Sequence, residues 1–161
     1  MKTISKFYVA LSLLALGTAP VSAATTMKDK HVIVKEEEKE GRMPAVRLIN
    51  NPDGTCGFEK GFIPTLKHAN ITTFWASNKT EDWEKNAHPA PRRQYVVTLK
   101  GKIRFKVSNG STFDIEPGVI LLAEDLKGTG HSWEMVNTKT WERLYIPLAD
   151  GADDMFVPQA K

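Results

Sequence analysis

The sequence predicts an all-β fold, and three observations carry that prediction. Short segments rich in β-branched and aromatic residues recur from Pro44 onward, separated by Gly, Pro, Asn and Asp. No window of a dozen residues after the first two dozen holds a helical period, and Pro44, Pro52, Pro64, Pro89, Pro91, Pro117, Pro147 and Pro158 punctuate the remainder. The stretch from Gln94 to Phe113 alternates with period two at Ile103, Phe105 and Val107, and Asn109-Gly110 supplies a turn. This is the pattern of a hairpin followed by another strand.

The elements follow in order. Lys2 and Lys6 flank the start of an apolar stretch from Phe7 to Leu16, and Val21-Ser22-Ala23 places small residues where a signal peptidase reads, so residues 1–23 have the layout of a secretory signal peptide. That apolar core is shorter than the roughly 20 residues a membrane-spanning helix needs. The expectation is an exported protein, periplasmic or extracellular, with no membrane contact after cleavage. Residues 24–43 read as a polar arm, with the solvated charge run Lys35-Glu-Glu-Glu-Lys-Glu40. Strands are then expected near 45–50, 56–63 and 69–77, near 93–99, 102–107 and 111–115, and near 118–123, 131–136 and 141–147. They make one domain over 44–150, followed by a tail over 151–161. Spacing of this kind leaves a β-sandwich or a barrel, between which composition does not choose.

Composition excludes several classes. Cleavage after Ala23 leaves 138 residues, enough for one self-standing core. Loss of Lys2 and Lys6 lowers the formal net charge from +3 to about +1, which removes the case for a nucleic-acid partner. Cys56 is the single cysteine, so no internal disulfide staples the chain, and the residue reads as a buried small hydrophobe, with a free thiol or a dimer link as the alternatives. No Ser-His-Asp order, phosphate-cradling glycine loop or zinc-type cysteine spacing is present.

The segments that carry chemistry are His88-Pro-Ala90-Pro-Arg92-Arg93-Gln94 with Gly101, and Glu116-Pro-Gly118 leading through Leu121-Leu-Ala-Glu124-Asp125 to Gly128-Thr-Gly130-His131. Together they resemble the two half-motifs of the cupin family over roughly residues 70–147. The resemblance departs from the family pattern at two positions, with Ala90 where a second histidine stands and Gln94 where a glutamate stands. It implies a cupin-type β-barrel or jelly roll, and a pocket built from His88, Arg92, Gln94 and His131. It also implies one divalent metal ion on His88, Gln94 and His131, with Asp125 or Glu124 completing the shell. Because a glutamine offers only a carbonyl oxygen, such a site is weakened relative to the family's. The opposing reading is that the two histidines hydrogen-bond pocket groups or a ligand, with no metal.

On a regular strand, which Pro89 and Pro91 limit to its edge, His88, Ala90, Arg92 and Gln94 share one face; Arg92 then meets a carboxylated ligand, pairs with Asp125 or Glu124, or lies exposed at the barrel mouth. Arg93 then points outward. Trp75, Trp83, Trp133 and Trp141 either line an aromatic pocket or fill the core, and Trp133 shares the face of His131 two residues before it. His31 and His68 have no ligand-like spacing. Three functional readings remain: a pocket enzyme of metal-dependent isomerase, oxygenase or lyase type, a metal-free small-molecule-binding module, and a homodimer formed through strand edges and the apolar strand 118–123.

Overall fold

Ten strands and one 3-10 turn account for the regular structure of the computed structural model, which describes residues 41–160. The expected leader and nearly all of the polar arm lie outside these residues. β1 (Arg42–Asn50) pairs antiparallel with β2 (Cys56–Pro64) across a turn at 51–55, and β3 (Trp75–Ser77) follows much later. The 3-10 turn (Asp82–Lys85) precedes β4 (Gln94–Lys100), β5 (Ile103–Lys106), β6 (Thr112–Ile115) and β7 (Ile120–Ala123). β8 (Ser132–Met135), β9 (Glu142–Pro147) and the short β10 (Val157–Pro158) complete the chain. The fold is all-β, as its sequence predicts.

The strands form a seven-stranded sheet in the order β10-β2-β1-β7-β4-β9-β3 and a three-stranded sheet in the order β6-β5-β8. These face each other as an open, jelly-roll-like pair of sheets and do not close into a barrel. Period-two alternation sets what lies between them. Val46 and Leu48 of β1, Val96 of β4 and Leu121 of β7 turn inward to meet Ile103 and Phe105 of β5, Phe113 and Ile115 of β6 and Trp133 of β8. The stack of Phe105 on Phe113, centroids 5.3 Å apart and nearly parallel, fills the middle of this layer.

The outer face of the large sheet is covered as well. Ala45, Tyr95 and Leu122 pack there with Leu148 and Phe156. The segment 151–161 is therefore no loose tail through residue 160: Phe156 is buried, Val157 and Pro158 pair with β2, and the Tyr95 hydroxyl donates to the Asp154 carbonyl. Arg47 binds Glu59 at 2.6 Å and Asp154 at 3.2 Å beneath the same segment.

This two-sided burial explains the unbroken apolar run of β7, which lies between β1 and β4 with Leu121, Leu122 and Ala123 all buried. Leu121, Leu122 and Ala123 of the apolar strand 118–123 are consequently not free surface. Of the expected strand 69–77 only Trp75–Ser77 is regular, and Ile71 is held by an isolated bridge to Leu148. No helix among the described residues is long and apolar enough to cross a membrane.

Candidate functional site

His88 and His131 are brought together by their backbones. His88 N donates to the His131 carbonyl at 2.9 Å and His131 N returns the bond at 3.0 Å, an isolated antiparallel bridge outside the named strands. Two residues on, Ala90 N donates to the Asp125 carbonyl at 3.0 Å. The segment 88–90 is therefore paired with the loop before β8, and regular strand begins only at Gln94.

Gly128 and Gly130 make this approach possible. Both have positive φ, +74° and +66°, and a Cβ on either would lie 2.0 Å from backbone of Gly54 or of His88, respectively. Gly130 is thus a steric requirement of seating His131 beside His88, and Gly128 of seating the same loop against Gly54.

The two rings sit with centroids 4.9 Å apart. His88 Nδ1 donates to the carbonyl of Asn86 at 2.7 Å, and His131 Nδ1 donates to Asp125 Oδ2 at 2.7 Å. A carbonyl oxygen can only accept, and an ionised carboxylate likewise, so each bond places the ring proton on Nδ1. In its neutral form each imidazole keeps its Nε2 lone pair for a partner. A histidine whose far nitrogen is held by a carboxylate or carbonyl is the arrangement that orients metal-ligating imidazoles.

Asp125 is fully buried and stands behind His131. Its Oδ2 also accepts from Cys56 Sγ at 3.4 Å, while its Oδ1 has no partner. Cys56, Asp125 and His131 offer donor atoms all within 4.8 Å of one another, a buried group able to hold a metal ion. The same atoms are joined by the hydrogen bonds just described. Burial, reinforced by the neighbouring Asp125 charge, pushes the Cys56 thiol well above the usual range, so it stays protonated at neutral pH. We expect Cys56 to be inert to the thiol reagent DTNB in the native protein and to react fully once the chain is unfolded in guanidinium; rapid reaction of the native protein contradicts this placement.

In front of the two histidines lies a cavity of about 440 Å³ between the sheets, in the size range of small-molecule sites. His88, Arg92, Gln94, His131 and Trp133 all line it; Asp125 does not. Gln94, at the start of β4, is 4% exposed and its Oε1 has no hydrogen-bond partner. A buried polar atom without a partner is costly, and this one belongs to a residue of the cavity wall.

Of the places open to Arg92, the structure gives it the exposed one. Because Pro89 and Pro91 keep the segment out of regular strand, Arg92 lies exposed at the mouth, its guanidinium 5.5 Å from the Trp75 ring centroid. The ion pair with Glu124 belongs instead to Arg93, at 2.7 Å, and Arg93 also donates to the Ala152 carbonyl. Arg93 is thus half-buried against the C-terminal segment, and Glu124 faces that segment too.

All four tryptophans line the cavity, joined by Phe105, Tyr145, Arg143 and Glu84. Arg143 is 1% exposed, the largest fully buried side chain, and lies over the faces of Trp141 and Tyr145. Its Nε donates to the Tyr145 hydroxyl at 2.6 Å, Nη1 to the Trp141 carbonyl at 3.2 Å and Nη2 to the Lys79 carbonyl at 2.9 Å, with Glu84 Oε1 at 3.3 Å as its charge partner. Burial pushes the Tyr145 phenol up, so it stays protonated and completes the cluster by donating to Glu84 at 3.4 Å.

Sequence reasoning passed over Arg143, Tyr145 and Glu84. The order Trp141-x-Arg143-x-Tyr145 carried a signal, since period two in a strand puts all three on the face of Trp141. Glu84 had none. No family model matches the chain, and no curated protein matches it.

Proposed function

We propose that this chain is an exported single-domain cupin whose cavity takes a small molecule, and that His88, His131 and Gln94 hold one divalent metal ion at its inner end. The observation that carries the reading is the pair of imidazoles, each tied through Nδ1 and each left with a free Nε2, beside a buried Gln94 oxygen with no partner. Two neutral imidazoles and a carbonyl oxygen fit an ion that keeps open positions for water or substrate.

The bound ion would supply Lewis-acid activation of a substrate oxygen, the chemistry of metal-dependent isomerases, oxygenases and lyases. The rest falls to the chain itself. Asp125 fixes the His131 ring and its tautomer, and Asn86 does the same for His88. The tryptophan walls exclude water from the inner end and hold the flat part of a ligand.

Ala90 and Gln94 favour a second reading, a metal-free binding module, because they remove an imidazole and a carboxylate from the family's set. Elemental analysis of the protein, exported without a histidine tag, separates the two. Near-stoichiometric metal in the wild type, lost in His88→Ala and in His88→Ala/His131→Ala but kept in Cys56→Ser, is the expected result. Metal lost in Cys56→Ser and kept in His88→Ala would place the ion in the Cys56/Asp125/His131 group instead. No metal in any of the proteins would leave the binding module.

A further inference from the structure

The cavity's charges are unequal once their pairings are drawn. Arg143 and Glu84 cancel each other and are held by a full set of hydrogen bonds. Arg92 makes no ion pair among the described residues, although it lines the cavity and lies against the face of Trp75. Lys79, also exposed and also without an ion pair among them, adds a second positive charge to the lining, against the single exposed acid Glu81. The mouth therefore favours an anion, and Arg92 offers it a planar fork matched to two oxygens.

The inner end has the opposite character. Gln94 Oε1 and the two Nε2 lone pairs are acceptors, so without an ion they repel a carboxylate. Between the two ends the walls are flat. Trp75 stacks on Tyr145 at 5.2 Å, and Trp133 stands edge-on to Trp141 at 5.0 Å. Trp83 stands edge-on to His88 at 5.0 Å. Trp75 and Trp83 remain 38% and 53% exposed, which leaves large apolar area at the mouth for a ligand ring to cover.

We infer that the cavity takes a planar aromatic carboxylate, its ring among Trp75, Trp83 and Trp133 and its carboxylate turned outward to Arg92. This rests on the small-molecule reading above and does not require the metal.

The test is calorimetric titration of the full-length mature protein with indole-3-carboxylate, the neutral indole-3-carboxamide and the saturated cyclohexanecarboxylate. The carboxylate is expected to bind about fivefold or more tighter than either of the others, the range set by a partly exposed charge pair and a charge-assisted hydrogen bond. Arg92→Gln, an exposed position whose melting temperature should not move, is expected to equalise the two indoles, while Arg92→Lys keeps part of the preference. Equal binding of the two indoles by the wild type, or of the saturated acid and the aromatic one, overturns the inference. So does a carboxylate preference that survives Arg92→Gln, which would put the anion at the inner end. Binding of none of the three overturns it too but leaves the small-molecule reading to ligands of other chemistry, whereas a retained preference in metal-free His88→Ala supports it whatever becomes of the metal.

Discussion

Gly130→Ala is expected to dismantle the site while a comparable change elsewhere does not. A Cβ at this position would lie 2.0 Å from the His88 carbonyl carbon and oxygen and 2.2 Å from Pro89 N, all backbone atoms that cannot swing aside. The two strands of backbone must part, and the paired bonds between His88 and His131, at 2.9 and 3.0 Å, go with them. Gly110→Ala is the control, because Gly110 also has positive φ, +84°, but nothing lies within 4 Å of its Cβ. Gly110→Ala should cost only the backbone strain, about 1–3 kcal/mol. Gly130→Ala should lower the denaturation midpoint further and abolish metal uptake; equal losses in the two variants would contradict the close approach.

Asp125→Ala is expected to have the second large effect, and to have it twice. Removing the carboxylate takes the acceptor of the buried His131 Nδ1–H and leaves the Cys56 thiol only its longer contact to the Gly57 carbonyl at 3.6 Å. An unpaired buried donor costs about 1–3 kcal/mol, so the denaturation midpoint should fall clearly. The His131 ring also loses the contact that fixes its orientation and tautomer. Loss of a carboxylate behind a ligating histidine typically weakens metal binding about 10–100-fold. Titration with Co²⁺ reads this directly, and Asp125→Asn, which keeps an acceptor oxygen, should recover part of both losses. Unchanged Co²⁺ affinity in Asp125→Ala would detach Asp125 from the site.

Much of this architecture is legible in the sequence because it depends on local chemistry. The alternation at Ile103, Phe105 and Val107 and the turn at Asn109-Gly110 have short-range causes, and β5 and β6 lie within a residue of where they are expected. The unbroken run in β7 also reads as a strand. Its position in the middle of the large sheet does not, because that depends on β1 arriving from 75 residues earlier to pair with it in parallel, Ala45 opposite Ile120. Without that pairing the run looks like free apolar surface.

The candidate site divides along the same line. The places of His88, Gln94 and His131 are implied by the resemblance of their segments to the cupin half-motifs, and all three line the cavity. The side to which each arginine turns is not implied by it. Alternation carried back from Gln94 puts Arg92 inside and Arg93 outside, but Pro89 and Pro91 end the regular strand, and Arg93 is drawn to Glu124, 31 residues away. Arg143 is buried because Glu84 reaches it from 59 residues away, a partner that no local pattern announces. The hydrogen bond from His131 to Asp125 spans only six residues, yet it depends on the positive φ of Gly128 and Gly130 to fold the loop back on itself.

The central claim is that both imidazoles carry their proton on Nδ1 and present Nε2 to the cavity. Long-range ¹H–¹⁵N correlation spectra of the ¹⁵N-labelled, metal-free protein near pH 7.5, with His88 and His131 assigned through the His88→Ala and His131→Ala variants, test it most directly. The account predicts the Nδ1–H tautomer for both rings, and a large displacement of both Nε2 resonances when Zn²⁺ is added. An Nε2–H tautomer at either histidine, or Nε2 resonances that ignore the metal, would contradict it.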